Sequence, residues 1–362
     1  VGPLVALFLL SWIFQAGVPR DLPVAVVDLD HSSMSRQIAR YVDATPIAAV
    51  NRNFVSLDEA RQAMENGRVD AVLYIPDETE QKILKGQSGN VLLYLNNINV
   101  VKGGVLNSGI RKALSTLSTG IKLRTWQQRG MVQEQAMARV MPVQVRSEIL
   151  FNPYTSYTYY LTAGFMPALL IVFVLLGTIY SLGTELFRGT GPSLMKAGAN
   201  DIRVVLFGKM FPYTIIYFSL AMVMNIMLFL KMGLPLHGNF HIILLGELLL
   251  IIAYQFVGVF LIGLTGNMRL SLSLGAAYSM LGLTFSGLTY PSMGMTGLMQ
   301  VISLAFPYTH WLKILIGQSL RGEPSANAFM YMLILIFFII LGLLLIPRYR
   351  YLLISRASMK KE

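Results

Sequence analysis

Stretches of about 20 residues or more without a single Asp, Glu, Lys or Arg recur along this chain, and one of them, Leu270 to Leu312, is twice as long. A bilayer's hydrocarbon core is crossed by about 20 helical residues at ~1.5 Å rise each, so a chain punctuated in this way is built to lie in lipid. Composition agrees. Of the 362 residues 54% are hydrophobic and 13% charged, whereas soluble domains carry about a quarter charged residues. Cysteine is absent, which excludes a disulfide framework, a thiolate metal site and a cysteine nucleophile.

Six apolar runs follow from this reading. The first is Val1 to Pro19; it opens already inside an apolar stretch, so a cytosolic N-terminal segment is expected ahead of it. The second is uncharged from Ile149 to Thr184 and most apolar from Tyr159 to Leu182. The third lies between Lys209 and Lys231, and the fourth runs from His241 to Gly266 with Glu247 inside it. A fifth ends near Leu288, followed by a broken segment that dips back into the membrane around Pro291 and Pro307. The last spans Pro324 to Pro347 and is closed by Arg348. The expected fold is an α-helical polytopic membrane protein with six transmembrane helices and an inserted extracytoplasmic α/β domain. Its parts are a first helix (1–19), the α/β domain (20–157), a transmembrane domain (158–347) and a basic cytosolic tail (348–362).

An even number of spans puts both termini on one side, and the Lys/Arg excess of short cytosolic loops chooses which. Arg188, Lys196, Arg203, Lys209, Arg269, Arg348, Arg350, Arg356, Lys360 and Lys361 fall on the side of the termini, against Lys231, Lys313 and Arg321 on the other. Both termini are therefore expected in the cytosol and residues 20–157 outside. That large segment is left out of the count, because long translocated segments largely ignore the rule.

Residues 20 to 150 hold 16 of the 29 basic and 13 of the 18 acidic residues, and they read as alternating strands and helices. PVAVVDLD is a strand ending at Asp28 and Asp30, and Ser32 or Ser33 caps the helix that follows. IAAVNRNF precedes a helix over SLDEARQAMENG, where Ser56 and Glu59 have capping-box spacing and Gly67 stands where a helix stops. VDAVLYIP is a strand, DETEQKILKG a short helix and NVLLYLNN another strand. Residues 100–139 read as mostly helical, and PVQVRSEILF alternates like a strand returning to the membrane.

Several residues invite chemistry. Asp28 and Asp30 beside His31 suit metal ligation or acid–base work, but a strand-to-helix turn also favours Asp for local hydrogen bonding, and no third ligand is in sight. His237 and His241 have the spacing of a zinc-binding pair on a helix; Gly238 and Asn239 between them read instead as a turn, and HExxH is missing. No metal site is expected. Glu247 is a functional candidate because a carboxylate inside a membrane costs ~2.5 kcal/mol or more at mid-depth; nearer the interface it can snorkel or pair, for instance with Lys231. The cytosolic stretch 183–203, with Glu185 near its start and basic residues later, reads as an amphipathic or interfacial helix, either a solvated connector or a docking element. No G-x-x-x-x-G-K-[ST] loop, GxSxG or HExxH occurs, so if ATP is used another chain binds it.

Taken in order, LPVAVVDLDHSSMSRQI, the stretch from Glu185 through Arg188, Gly189 and Thr190 to Lys209, and TYPSMGM followed by FPYTHWLKILIGQSLRG resemble the type-2 permease subunits of ATP-binding-cassette exporters. The resemblance covers essentially the whole chain and is to the bacterial kind with a large periplasmic domain after the first span. It implies a coupling segment at 183–203 with Glu185, Arg188, Gly189, Thr190 and Lys209. It also implies an external re-entrant segment at 289–322 containing Pro291, Met295, Pro307 and His310. Where the family often has a second acid, two residues after the first, this chain has Phe187.

The same resemblance implies a dimer with a second copy or a paralogue in the bacterial inner membrane, seated on two cytosolic ATPase subunits that bind ATP and Mg. The chain itself is then no enzyme and holds no cofactor. A periplasmic adaptor protein is a further partner that the resemblance implies, and membrane lipid a constant one; no nucleic-acid partner is expected. Twenty Met and many aromatic residues suit a hydrophobic or amphipathic export substrate, although lipid-facing helices have the same composition. The alternative reading is a membrane sensor whose extracytoplasmic domain binds a ligand and which signals through a separate partner.

Overall fold

The computed structural model describes residues 2–14, 17–141, 150–152, 156 and 158–359. The chain forms two compact units, one of residues 1–18 with 149–362 and one of residues 19–148. The expected returning strand PVQVRSEILF lies almost wholly outside the described residues, and Lys360 and Lys361 lie outside them too.

Helix α1 (Gly2–Ile13) opens the helical unit and buries Leu7 and Ser11. The second unit begins with β1 (Leu22–Asp28), α2 (Ser33–Asp43), β2 (Ala48–Phe54), α3 (Leu57–Glu65) and β3 (Ala71–Ile75). It continues with α4 (Thr79–Leu84), β4 (Leu92–Leu95), α5 (Val100–Gln128) and α6 (Gln133–Val140). Among the described residues the sheet has the order β2-β1-β3-β4, with β1 parallel to β2 and β3 and β4 antiparallel to β3. Two βαβ crossovers build the parallel part. Alternation along the strands then supplies two cores. Val24, Val26, Leu73 and Ile75 face α2 and α5 with Ile38, Leu106 and Leu117, whereas Ala25, Val27 and Val72 face α3 with Ala60 and Ala63. Ser32 and Ser56 cap α2 and α3, each accepting from the backbone N–H three residues on.

The helical unit resumes with a π-helical turn, Thr158–Thr162, running into α7 (Ala163–Arg188), then α8 (Gly191–Ala197) and α9 (Ile202–Asn225). It proceeds through α10 (Phe240–Thr265), α11 (Met268–Phe285), α12 (Gly297–Ser303) and α13 (Pro307–Ile316), and ends with α14 (Ser325–Leu343) and α15 (Ile346–Met359). Further π-helical turns extend α9 to Lys231 and α13 to Arg321. Four helical stretches among the described residues are long and apolar enough to cross a membrane: Thr158–Arg188, Ile202–Lys231, Phe240–Thr265 and Ser325–Ser355. The chain is a multi-pass α-helical membrane protein. The expected first and fifth spans fall short of that measure, because α1 has 12 residues and the 18 residues of α11 include Arg269.

Two features of the helical unit matter for function. The residues after Pro347 are more than a basic tail: α15 buries Tyr349 and Leu353 against Leu182, Leu186 and Met195. The segment after Leu288 is divided into a 3-10 turn at Ser292–Gly294, α12 and α13, and its second half packs into the helical unit. Tyr308, His310, Trp311 and Leu312 of α13 are buried, and the Tyr308 hydroxyl donates to the Gly164 carbonyl of α7 at 2.6 Å.

Candidate functional site

Helix α7 ends at Arg188 because Gly189 adopts φ 75°, and the Gly189 and Thr190 amides both turn back to the Glu185 carbonyl. That ending fixes the Glu185 side chain beside α9. Its carboxylate takes the Lys209 ammonium at 2.5 Å on one oxygen and the Thr190 hydroxyl on the other, while Lys209 also donates to the Ser181 carbonyl at 2.9 Å. Both ends of the ion pair are mostly covered, with side-chain exposures of 20% for Lys209 and 18% for Glu185. Glu185 thus closes α7 rather than opening a new amphipathic helix as the sequence suggested, and the short helix of the segment is α8.

Helix α8 is held on three sides. Leu194 and Met195 pack with Leu186, Ile202, Val205 and Leu353. Gly191 lies so close to α15 that a Cβ there would come within 2.8 Å of the Leu353 carbonyl carbon and closer still to its oxygen. The turn into α9 places Ala199 and Asn200 at φ 53° and 62°, a left-handed pair that persists only where its surroundings enforce it. The Asn200 amide donates to Met195 at 2.8 Å, the Asp201 amide to Gly198 at 3.0 Å, and Asp201 caps α9 by accepting from the Arg203 amide at 2.8 Å. Tyr349, fully buried, donates to the Leu182 carbonyl at 3.0 Å. The outer face is left to Arg188, Ser193, Lys196, Asn200 and Arg203, all exposed. The Arg269 guanidinium carbon stands 6.0 Å from the centroid of the Phe187 ring.

The sequence profile of the family described as "ABC-2 family transporter protein" matches residues 1–346. The chain belongs to the ABC-2 transporter family. No curated protein sequence matches it. An ABC-2 membrane chain is a transport component rather than a catalyst.

Glu247 of this ABC-2 chain is 1% exposed. Its partner is the Asn225 amide, donating at 2.6 Å, and not Lys231: α9 brings Asn225 to the depth of Glu247, whereas Lys231 stands at the exposed end of the π-helical turn. One carboxylate oxygen and the Asn225 carbonyl oxygen remain buried without a hydrogen bond. Gln255, which a search for charges overlooks, is equally buried and ties α10 to α9 by accepting from Thr214 at 2.9 Å and donating to the Met210 carbonyl at 3.3 Å.

In the broken segment, Pro291 precedes the 3-10 turn, whose Ser292 carbonyl accepts from the Met295 amide at 3.1 Å, and Pro307 occupies the first turn of α13. His310, 2% exposed, has Nε2 at 3.0 Å from the Leu304 carbonyl, and its Nδ1 is without a partner. It lines an apolar cleft of about 560 Å³ with Phe338, Tyr278 and Leu261.

Asp28 and Asp30 are brought together, with each other and with α4, but as turn acceptors. Asp28 accepts from the amides of Asp30 and His31 at 3.1 and 3.0 Å and from the Ser35 hydroxyl at 2.7 Å. Asp30 accepts from Ser32 and from the Glu80 amide at 3.2 Å. His237 sits in the loop ahead of α10 with its amide on the Ser319 carbonyl at 3.1 Å, so it shares no helix with His241. Among the described residues no group of three potential ligands is placed to hold a metal ion.

Proposed function

We propose that this ABC-2 chain is the membrane-spanning permease subunit of an ATP-driven exporter, moving a hydrophobic or amphipathic substrate outward across a bacterial inner membrane. In this reading α1 and α11 complete six spans, both termini are cytosolic and residues 20–157 are periplasmic, in reach of an adaptor protein. Two such subunits, identical or paralogous, sit on two ATP-binding-cassette ATPases, which bind ATP and Mg.

The observation that carries the reading is the Glu185–Lys209 clasp with α8 seated beside it. A partner's motion does work only through contacts that differ between two states, and a loosely tethered loop would absorb it. Here a push on α8 meets α15 through Gly191 and the Met195 core, α7 through Glu185 and Gly189, and α9 through Lys209 and Asp201. The motion is passed to three helices at once. Arg188, Gly189 and Thr190 complete the element, and Arg188 and Lys196 supply the cationic face offered to the ATPase. Pro291, Met295, Pro307 and His310 form the external re-entrant segment, and Glu247 is a polar anchor within the spans.

Glu185→Lys sets two cations against each other at the clasp. The reconstituted complex is expected to keep hydrolysing ATP while transport falls away; Glu185→Gln, which keeps an acceptor for Thr190, should lose less. Transport per ATP unchanged in Glu185→Lys would remove the clasp from the mechanism.

A further inference from the structure

We propose that the α/β unit binds a small amphipathic organic anion, a compact apolar body bearing one carboxylate, sulfonate or phosphate, in the cleft between α2, the turn after α4 and the C-terminal half of α5. The site lies wholly within residues 19–148 and does not depend on the export reading. Its volume, about 620 Å³, falls within the ~300–1,000 Å³ of small-molecule pockets.

The floor is the outer margin of the unit's larger core. Ile38 and Leu117 are buried there, with Met34, Leu114 and Ile121 half-buried beside them. Such a surface favours an apolar body, at roughly 25 cal/mol for each Å² withdrawn from water. Lys122 and Arg129 line the cleft beside Gln87 and Ser88, and among the described residues the lining contains no carboxylate. Among the described residues neither cation is in an ion pair.

The imbalance extends through the sequence that builds this wall. From Gln81 to Gln133 there is no Asp or Glu, while eight Lys and Arg occur. A cation is disfavoured on a second count. The Trp126 ring, which would otherwise attract one, already has the Arg129 and Arg139 guanidinium carbons 5.1 and 4.8 Å from its centroid. An anion reaching Arg129 gains a charge-assisted hydrogen bond without breaking an existing ion pair.

The test uses the whole chain in phosphatidylcholine nanodiscs, titrated calorimetrically with 1-naphthalenesulfonate and with the cationic analogue 1-naphthylmethylammonium, empty discs being subtracted. Saturable binding of the sulfonate, and not of the ammonium, is expected. Lys122→Glu with Arg129→Glu should weaken it at least roughly tenfold, the worth of one charge-assisted hydrogen bond. Ser118→Trp, which fills the cleft without changing charge, should abolish it. Arg111→Glu with Lys112→Glu makes the same change in net charge on α5 outside the cleft and should leave affinity unaltered. Absence of saturable sulfonate binding, equal binding of the ammonium, or equal loss in the Arg111/Lys112 pair would overturn the proposal.

Discussion

Replacing Gly191 with alanine tests whether α8 is a seated element or a loose connector. The added methyl carbon would stand 2.8 Å from the Leu353 carbonyl carbon and 3.0 Å from its Cα, inside van der Waals contact with backbone that cannot rotate away. Overpacking of this kind costs about 1–3 kcal/mol. The helix-propensity gain of Gly→Ala, at most ~1 kcal/mol and less in a first turn, does not offset it. A net penalty of one or two kcal/mol multiplies the population with α8 lifted by roughly 5–30. The chain has no native cysteine, so Met195→Cys, at a site 2% exposed under α8, reports that population through its maleimide labelling rate. Labelling should be slow in the Met195→Cys background and faster by that factor once Gly191→Ala is added. Gly208→Ala serves as the control: its methyl meets nothing within 4 Å, so labelling should not change. If Gly191→Ala also leaves labelling unchanged, α8 is not seated on α15 and the rigid-element argument fails.

Three further outcomes follow from the same contacts. Lys209→Met and Glu185→Gln, singly and together, should give a coupling energy of about 0.5–3 kcal/mol in a double-mutant cycle read by thermal unfolding, and a value of zero would make the 2.5 Å contact energetically idle. Glu247→Gln should be tolerated, because an amide there can accept from the Asn225 amide and donate to its orphan carbonyl oxygen; Asn225→Leu should cost roughly 1–3 kcal/mol by stripping Glu247 of its donor, and equal stability of the two variants would refute the pairing. Tyr349→Phe should lower stability by about 1 kcal/mol for one buried hydrogen bond, and no change in the unfolding midpoint would remove Tyr349 from the lock.

The elements of the α/β unit were legible because β1 and β3 are unbroken apolar runs of strand length, and because Ser32 and Ser56 stand at helix starts with their capping partners three residues on. The apolar runs were legible by charge alone. The same reliance on charge hid what joins them. Gln255 and Asn225 carry no charge, yet they make the polar ties between α9 and α10. Tyr349 and Leu353 sit among five arginines and lysines that read as a solvated tail, although their four-residue spacing, with Ile346 three before, marks an apolar helical face. The clasp was half visible: Glu185 and Lys209 were singled out, but 24 positions apart only the folded hairpin of α7 and α9 shows that they meet. Gly191 carried no sequence signal, since its role is the room it leaves for another helix's backbone.

The central claim, a permease moved by a partner ATPase through α8, is tested most directly by purifying the tagged chain from its native membrane in mild detergent and assaying what comes with it. The account predicts a stoichiometric ATP-binding-cassette subunit with vanadate-sensitive hydrolysis, lost from the complex when Arg188 and Lys196 on the exposed face of the coupling element are both replaced by Glu. Recovery of the chain alone and without ATPase activity, under conditions that preserve other membrane complexes, would contradict it.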